Sequence, residues 1–187
     1  MYIAQAKRRE NIAEYILYLW QIADVLRALQ FSPEAIYSQL VKPRGLEPDK
    51  ENELLLWYMD IAGLLQQEDK AEQGYLDHTL HLIGDLKRLH EQLLVLPAGE
   101  HYKSLFDRLL PELPHLRQLL GREDVGDIEL AFRALYAVML YRIKGDEKKE
   151  KSISDVIELV SPVIAELAQI YRQAESGEKD IFAQKKE

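Results

Sequence analysis

Residues 127–144 read DIELAFRALYAVMLYRIK. Wound at 3.6 residues per turn, this stretch carries Leu, Phe, Met, Val and Ala on most of its circumference. A helix that is apolar nearly all round must be surrounded by protein, so it is expected at the centre of a helical bundle. Gly145 terminates it, and Gly121 and Gly126 bracket the loop before it. Glu129, Arg133 and Arg142 interrupt the apolar run and argue against a membrane span.

The flanking sequence supplies helices to surround this one. On the C-terminal side, Ile153, Val156, Ile157, Val160, Val163, Ile164, Leu167, Ile170 and Tyr171 form one stripe of a helix ending near Ala174. Ser152 and Asp155 are spaced as a partial capping box, which predicts a start at Ser152 after a charged connector over 146–151. Pro162 falls opposite the stripe, so its missing N–H faces water and should bend the helix without breaking it. On the N-terminal side, residues 101–120 read as two short helices with a bend near Pro111.

Further upstream, a fourth helix over about Tyr75 to Leu96 and a third from Asp49 or Pro48 to about Gln67 are expected. Asp60 in the third helix projects to the wet side. Ser32-Pro33 is an N-cap followed by Pro at the first helical position, opening a short helix to about Leu40. Residues 3–30 read as one long helix. The expected architecture is all-α, a single-domain bundle of six to seven helices over 1–175, with a polar, disordered tail over 176–187.

Composition agrees. The chain has 187 residues, of which 31 are Leu, one is Thr and none is Cys. A lone Thr argues against an all-β fold, and the lack of Cys excludes disulfide scaffolds, zinc ribbons and Cys nucleophiles. The net charge of −8 repels phosphate backbones, so nucleic acid is not an expected partner. Lys7-Arg8-Arg9 is the tightest basic run; followed at once by Glu10, it reads as a solvated turn of helix.

Ile3-Ala4, then Lys7-Arg8-Arg9-Glu10-Asn11-Ile12-Ala13-Glu14-Tyr15-Ile16-Leu17-Tyr18 and Trp20-Gln21-Ile22, resemble the N-terminus of a family of uncharacterised bacterial proteins. That family is found mainly in Bacteroidetes and is catalogued as a domain of unknown function. The resemblance implies a bacterial, cytoplasmic, all-helical protein, and carries over no activity, cofactor or catalytic residue.

Three groups of residues could carry chemistry or contacts. His78, His81 and Asp85 lie at i, i+3 and i+7 on the fourth helix, a spacing that lets potential metal ligands project from one side. The plainer reading is a hydrated polar flank. Arg142, with Tyr136 or Tyr141 nearby, could bind an anion in a bundle pocket. In the plainer reading Arg142 complements the helix dipole from the last turn. Ala13, Leu17 and Trp20 form a second apolar patch on the first helix; a helix that buries two faces is either central or at a contact with another subunit, and the patch is taken as the candidate interface.

The familiar catalytic patterns are missing. Glu112-Leu113-Pro114-His115 places Pro inside the Glu-x-x-His spacing of a di-iron bundle. No Gly-rich phosphate loop and no Gly-x-Ser-x-Gly elbow occur. The expectation is a cytoplasmic bundle acting through self-association or contact with another protein, most simply as a homodimer. No cofactor, nucleic acid or membrane is expected. The alternative is a metal- or ligand-binding bundle enzyme, its site near the third, fourth and sixth helices and built from His78, His81, Asp85, Tyr136 and Arg142.

Overall fold

A computed structural model of the chain describes residues 2–145 and 147–178. All regular structure among them is helical, and eight helices have eight residues or more, where six to seven are expected. They are α1 (Tyr2–Glu10), α2 (Ile12–Ala28), α4 (Pro48–Gln67), α5 (Asp77–Leu93), α6 (Glu100–Leu109), α7 (Leu113–Leu120), α8 (Asp127–Lys144) and α9 (Glu147–Glu175). A four-residue turn, α3 (Pro33–Ile36), runs into a π-turn at Tyr37–Val41. Two compact units divide the chain: Met1–Glu10 with Glu14–Leu82, and Asn11–Ala13 with Ile83–Glu187.

The extra helix arises at Asn11, where the single helix expected over 3–30 is broken. The Asn11 side-chain oxygen accepts the Ala13 N–H at 3.0 Å, which is N-cap geometry for a helix starting at Ile12. Hydrophobic periodicity runs on across the break and conceals it. The last helix also differs from expectation. It begins at Glu147 and passes through Ser152, which is therefore not its cap. Glu and Lys are good helix formers, so the charged run 147–151 extends the helix without an apolar stripe to announce it. Of the tail expected over 176–187, residues 179–187 lie outside the described residues.

In the first unit, Leu19, Ile22, Ala23 and Leu26 of α2 form a core with Tyr58, Ile61, Ala62 and Leu65 of α4 and with Ile36, Val41 and Leu76. Asp60 is exposed, as its position on the helix predicts. Ser32 caps α3 by accepting the Ala35 N–H at 3.2 Å. The loop between α4 and α5 is held by charge-assisted bonds. Arg27 donates to the Lys70 carbonyl at 2.9 and 3.1 Å and also to the Gly74 carbonyl. Glu68 accepts the Asp77 N–H at 2.8 Å. This anchoring positions Tyr75, whose ring stacks on Trp20 at 4.1 Å.

In the second unit, α8 runs from Asp127 to Lys144 as the sequence predicts, with Gly145 left-handed at its C-terminus (φ 67°). Leu130, Phe132 and Ala134 are fully buried, and α8 packs against α7 and α9. Arg133 pairs with Glu129 one turn earlier at 2.6 Å, which accounts for two charges in the apolar run. Pro162 is exposed and α9 continues through it. The two short helices near Pro111 are α6 and α7, joined by a 3-10 turn at Leu110–Glu112.

A polar pair is buried between α5 and α6. The His90 Nδ1 and the Tyr102 hydroxyl are 2.6 Å apart, and the imidazole meets the Phe106 ring edge-on at 4.5 Å. Burial holds the His90 pKa below its usual 6.5, partly offset by the negative charges of Asp127 and Glu91. Burial also pushes the Tyr102 phenol up. The turn between these helices includes Gly99, where an added Cβ would lie 2.0 Å from the Leu93 carbonyl oxygen.

Two outcomes follow from this packing. Gly99→Ala must displace backbone and should cost about 3 kcal/mol, read as a lowered urea midpoint. The buried neutral His90 contributes stability that is present at pH above 6.5. As pH falls below that value the unfolded chain takes up a proton at this residue first, so stability is lost as the folded value is approached. Urea titrations at several pH values should show a steeper loss below neutrality in the wild type than in His90→Gln.

Candidate functional site

The first unit contains a groove of about 420 Å³ lined by Ala4, Gln5, Arg8 and Arg9 of α1, Tyr15 of α2 and Trp57 of α4. The four α1 residues are spaced i, i+1, i+4 and i+5, which places them on one side of that helix. Lys7 is instead engaged with Glu14 at 2.6 Å. The helix is interrupted at Asn11, and Arg8 and Arg9 before the interruption and Tyr15 after it line one groove.

An aromatic wall stands opposite α1. Trp57 is half-buried, lies nearly parallel to Tyr18 at 6.3 Å and tilts against Tyr58 at 5.0 Å. The Tyr15 hydroxyl lies 3.3 Å from the His78 Nε2, with the two rings edge to face. Burial raises the Tyr15 pKa against the opposing pull of Arg8, so the phenol stays protonated. Partial burial lowers the His78 pKa, and the positive charges of Arg8 and His81 lower it further against Glu68. The Tyr18 phenol is pushed up to about 12, first by burial and then by Tyr58. At neutral pH the groove therefore has two guanidinium groups, one protonated phenol and an indole. Among its described lining residues there is no Asp or Glu.

The structure distributes the other sequence candidates differently. Among the described residues no three His, Asp or Glu side chains are grouped to hold a metal ion. His78 turns to Tyr15, His81 is exposed, and Asp85 pairs with Arg88 on its own helix. Tyr136 is buried in α8, whereas Arg142 is exposed in that helix's last turn. His78 and His81 belong to the first unit, and Asp85, Tyr136 and Arg142 to the second.

The patch read as a subunit contact is also placed otherwise. Trp20 is 0% exposed; its indole N–H donates to the Thr79 hydroxyl at 3.1 Å and its ring stacks on Tyr75. Ala13 is buried and Leu17 half-buried. Trp20, picked out as an interface anchor, is thus consumed inside its own chain.

A family described as a domain of unknown function, DUF4924, matches residues 1–178. The chain belongs to the DUF4924 family. The match spans both units, well beyond the N-terminal residues that carry the resemblance. No curated protein and no solved structure matches the chain. Sequence reasoning did single out Lys7-Arg8-Arg9, but as a solvated turn. The missing signal was tertiary, because Trp57 is some fifty residues away in the sequence.

The two Trp environments give a direct check on this geometry. Acrylamide should quench one class of indole fluorescence readily and leave the other protected. Trp57→Phe should remove the accessible class and Trp20→Phe the protected one; equal quenching of both indoles would contradict the groove.

Proposed function

We infer that the first unit is a binding module for an anionic ligand that carries a planar or apolar group. The observation behind this reading is the sharing of one groove by Arg8, Arg9, Tyr15 and Trp57 in a chain of net charge −8. Guanidinium groups recognise carboxylate and phosphate through paired N–H donors. Aromatic rings supply apolar contact with little loss of side-chain freedom. The volume lies in the range of small-molecule sites.

Binding fits the groove better than catalysis. Its described lining has no carboxylate base and no Ser or Cys nucleophile. A compact ligand also suits it better than a nucleic acid, whose length would meet the acidic remainder of the surface. The groove lies within one unit and requires no second copy. Self-association, a bacterial source and a cytoplasmic location are compatible with this reading and are proposals beside it. With Trp20 buried, a homodimer would have to use a surface other than the Ala13, Leu17 and Trp20 patch.

Calorimetry with phenylacetate, phenyl phosphate and neutral benzyl alcohol tests the module. At least one of the anions should bind and the alcohol should not. Replacing both arginines, Arg8→Ala with Arg9→Ala, should weaken anion binding by about tenfold or more, with circular dichroism and melting of the variant separating lost contacts from lost folding. Failure of both anions to bind, or binding that the double variant leaves unchanged, would sink the reading.

A further inference from the structure

The charge and donor count of the groove narrow the ligand. We propose that the anion it selects is a phosphate monoester of a ring-bearing small molecule, with the phosphate at Arg8 and Arg9 and the ring against Trp57. This inference rests on the anion-binding reading above and adds the class of ligand.

Two arginines of α1 line the same groove, so two guanidinium groups border one space. A carboxylate has a single negative charge and two oxygens, a match for one guanidinium fork. A phosphate monoester has a charge of about −1.5 to −2 near neutral pH and three acceptor oxygens, a match for two forks. Arg8 is half-buried and within electrostatic reach of Tyr15 and His78, so its positive charge is felt by the groove's phenol and imidazole.

Tyr15 can supply a further donor. Its hydroxyl and the His78 Nε2 share one hydrogen bond. When Nε2 carries the proton, His78 donates to the phenol oxygen, and the phenol proton is left to donate to a phosphate oxygen. Trp57 lines the same groove and offers an indole for a ring attached to the phosphate, and the volume of about 420 Å³ lies in the range of small-molecule sites. His81, exposed on the same helix, and Glu68, which accepts the Asp77 N–H, are the other charged or titratable neighbours of His78.

Calorimetry of the full chain at about pH 7.5, where the monoester is mostly dianionic, tests this with five probes at equal ionic strength. Phenyl phosphate and adenosine 5′-monophosphate are the ring-bearing monoesters. Phenylacetate has the ring without the dianion, inorganic phosphate the dianion without the ring, and adenosine neither charge nor phosphate. One or both monoesters should bind about tenfold or more tightly than phenylacetate and inorganic phosphate, and adenosine should not bind. Whichever monoester binds more tightly identifies the kind of ring.

Arg9→Ala should reduce monoester affinity to that of the carboxylate. Tyr15→Phe should weaken it several-fold, and Trp57→Ala should bring it down to that of inorganic phosphate. Circular dichroism and melting of each variant separate lost contacts from lost folding. Phenylacetate binding as tightly as phenyl phosphate, with the arginines still required, would overturn the phosphate assignment and leave the anion-binding module standing. Inorganic phosphate matching the monoesters would overturn the ring contact. No binding by any anion would remove both readings.

Discussion

The first unit is organised around the buried indole of Trp20. An indole N–H in an apolar interior must find an acceptor, and the only Thr in the chain provides it. The Thr79 hydroxyl in turn donates to the Leu76 carbonyl at 2.7 Å, so neither polar group is stranded. Tyr75 closes the site by stacking on the indole. These partners stand at and just before the start of α5, and the loop leading to them is tied to α2 by Arg27. Register of α5 against α2, and with it the position of His78 beside Tyr15, follows from satisfying one side chain.

The groove builds on that frame. Tyr15 lies on α2 a little more than one turn before Trp20, so the contact that seats Trp20 also orients the surface on which Tyr15 stands. Trp57 lies next to Tyr58, a fully buried member of the same core. The two aromatic members of the groove thus project from rigid, packed helices. The arginines stand on a shorter helix that Asn11 sets apart. This combines a firm apolar wall with charged groups on a separate element, an arrangement suited to holding a ligand by one end while its anionic group is gathered by long side chains.

Legibility differed by the range of the forces involved. The bounds of α8 could be read because apolar residues cover it and a glycine caps it, both properties of neighbours in sequence. The Ser32-Pro33 start was visible for the same reason. Asn11 was not, since the apolar period continues through it and only a side-chain bond to the backbone two residues on reveals the new start. The early start of α9 was hidden because Glu147 to Lys151 is helical without contributing to a stripe. At the site, the histidines and Asp85 have ligand-like spacing along one helix. Asp85 found an arginine one turn away and His78 a tyrosine, so the spacing alone did not bring them together.

Local information therefore determined the all-helical class, most helix bounds and the faces that would be buried, because propensity, caps and periodicity act within a few turns. Which large side chains would be consumed in the core and which would line a surface was decided by the tertiary structure. Trp20 and Trp57 have similar apolar surroundings in sequence, yet one is sealed by Thr79 and Tyr75 and the other lines a groove with Arg8 and Arg9. That difference depends on partners 48 to 59 residues away, and their pairing is settled only when the helices pack.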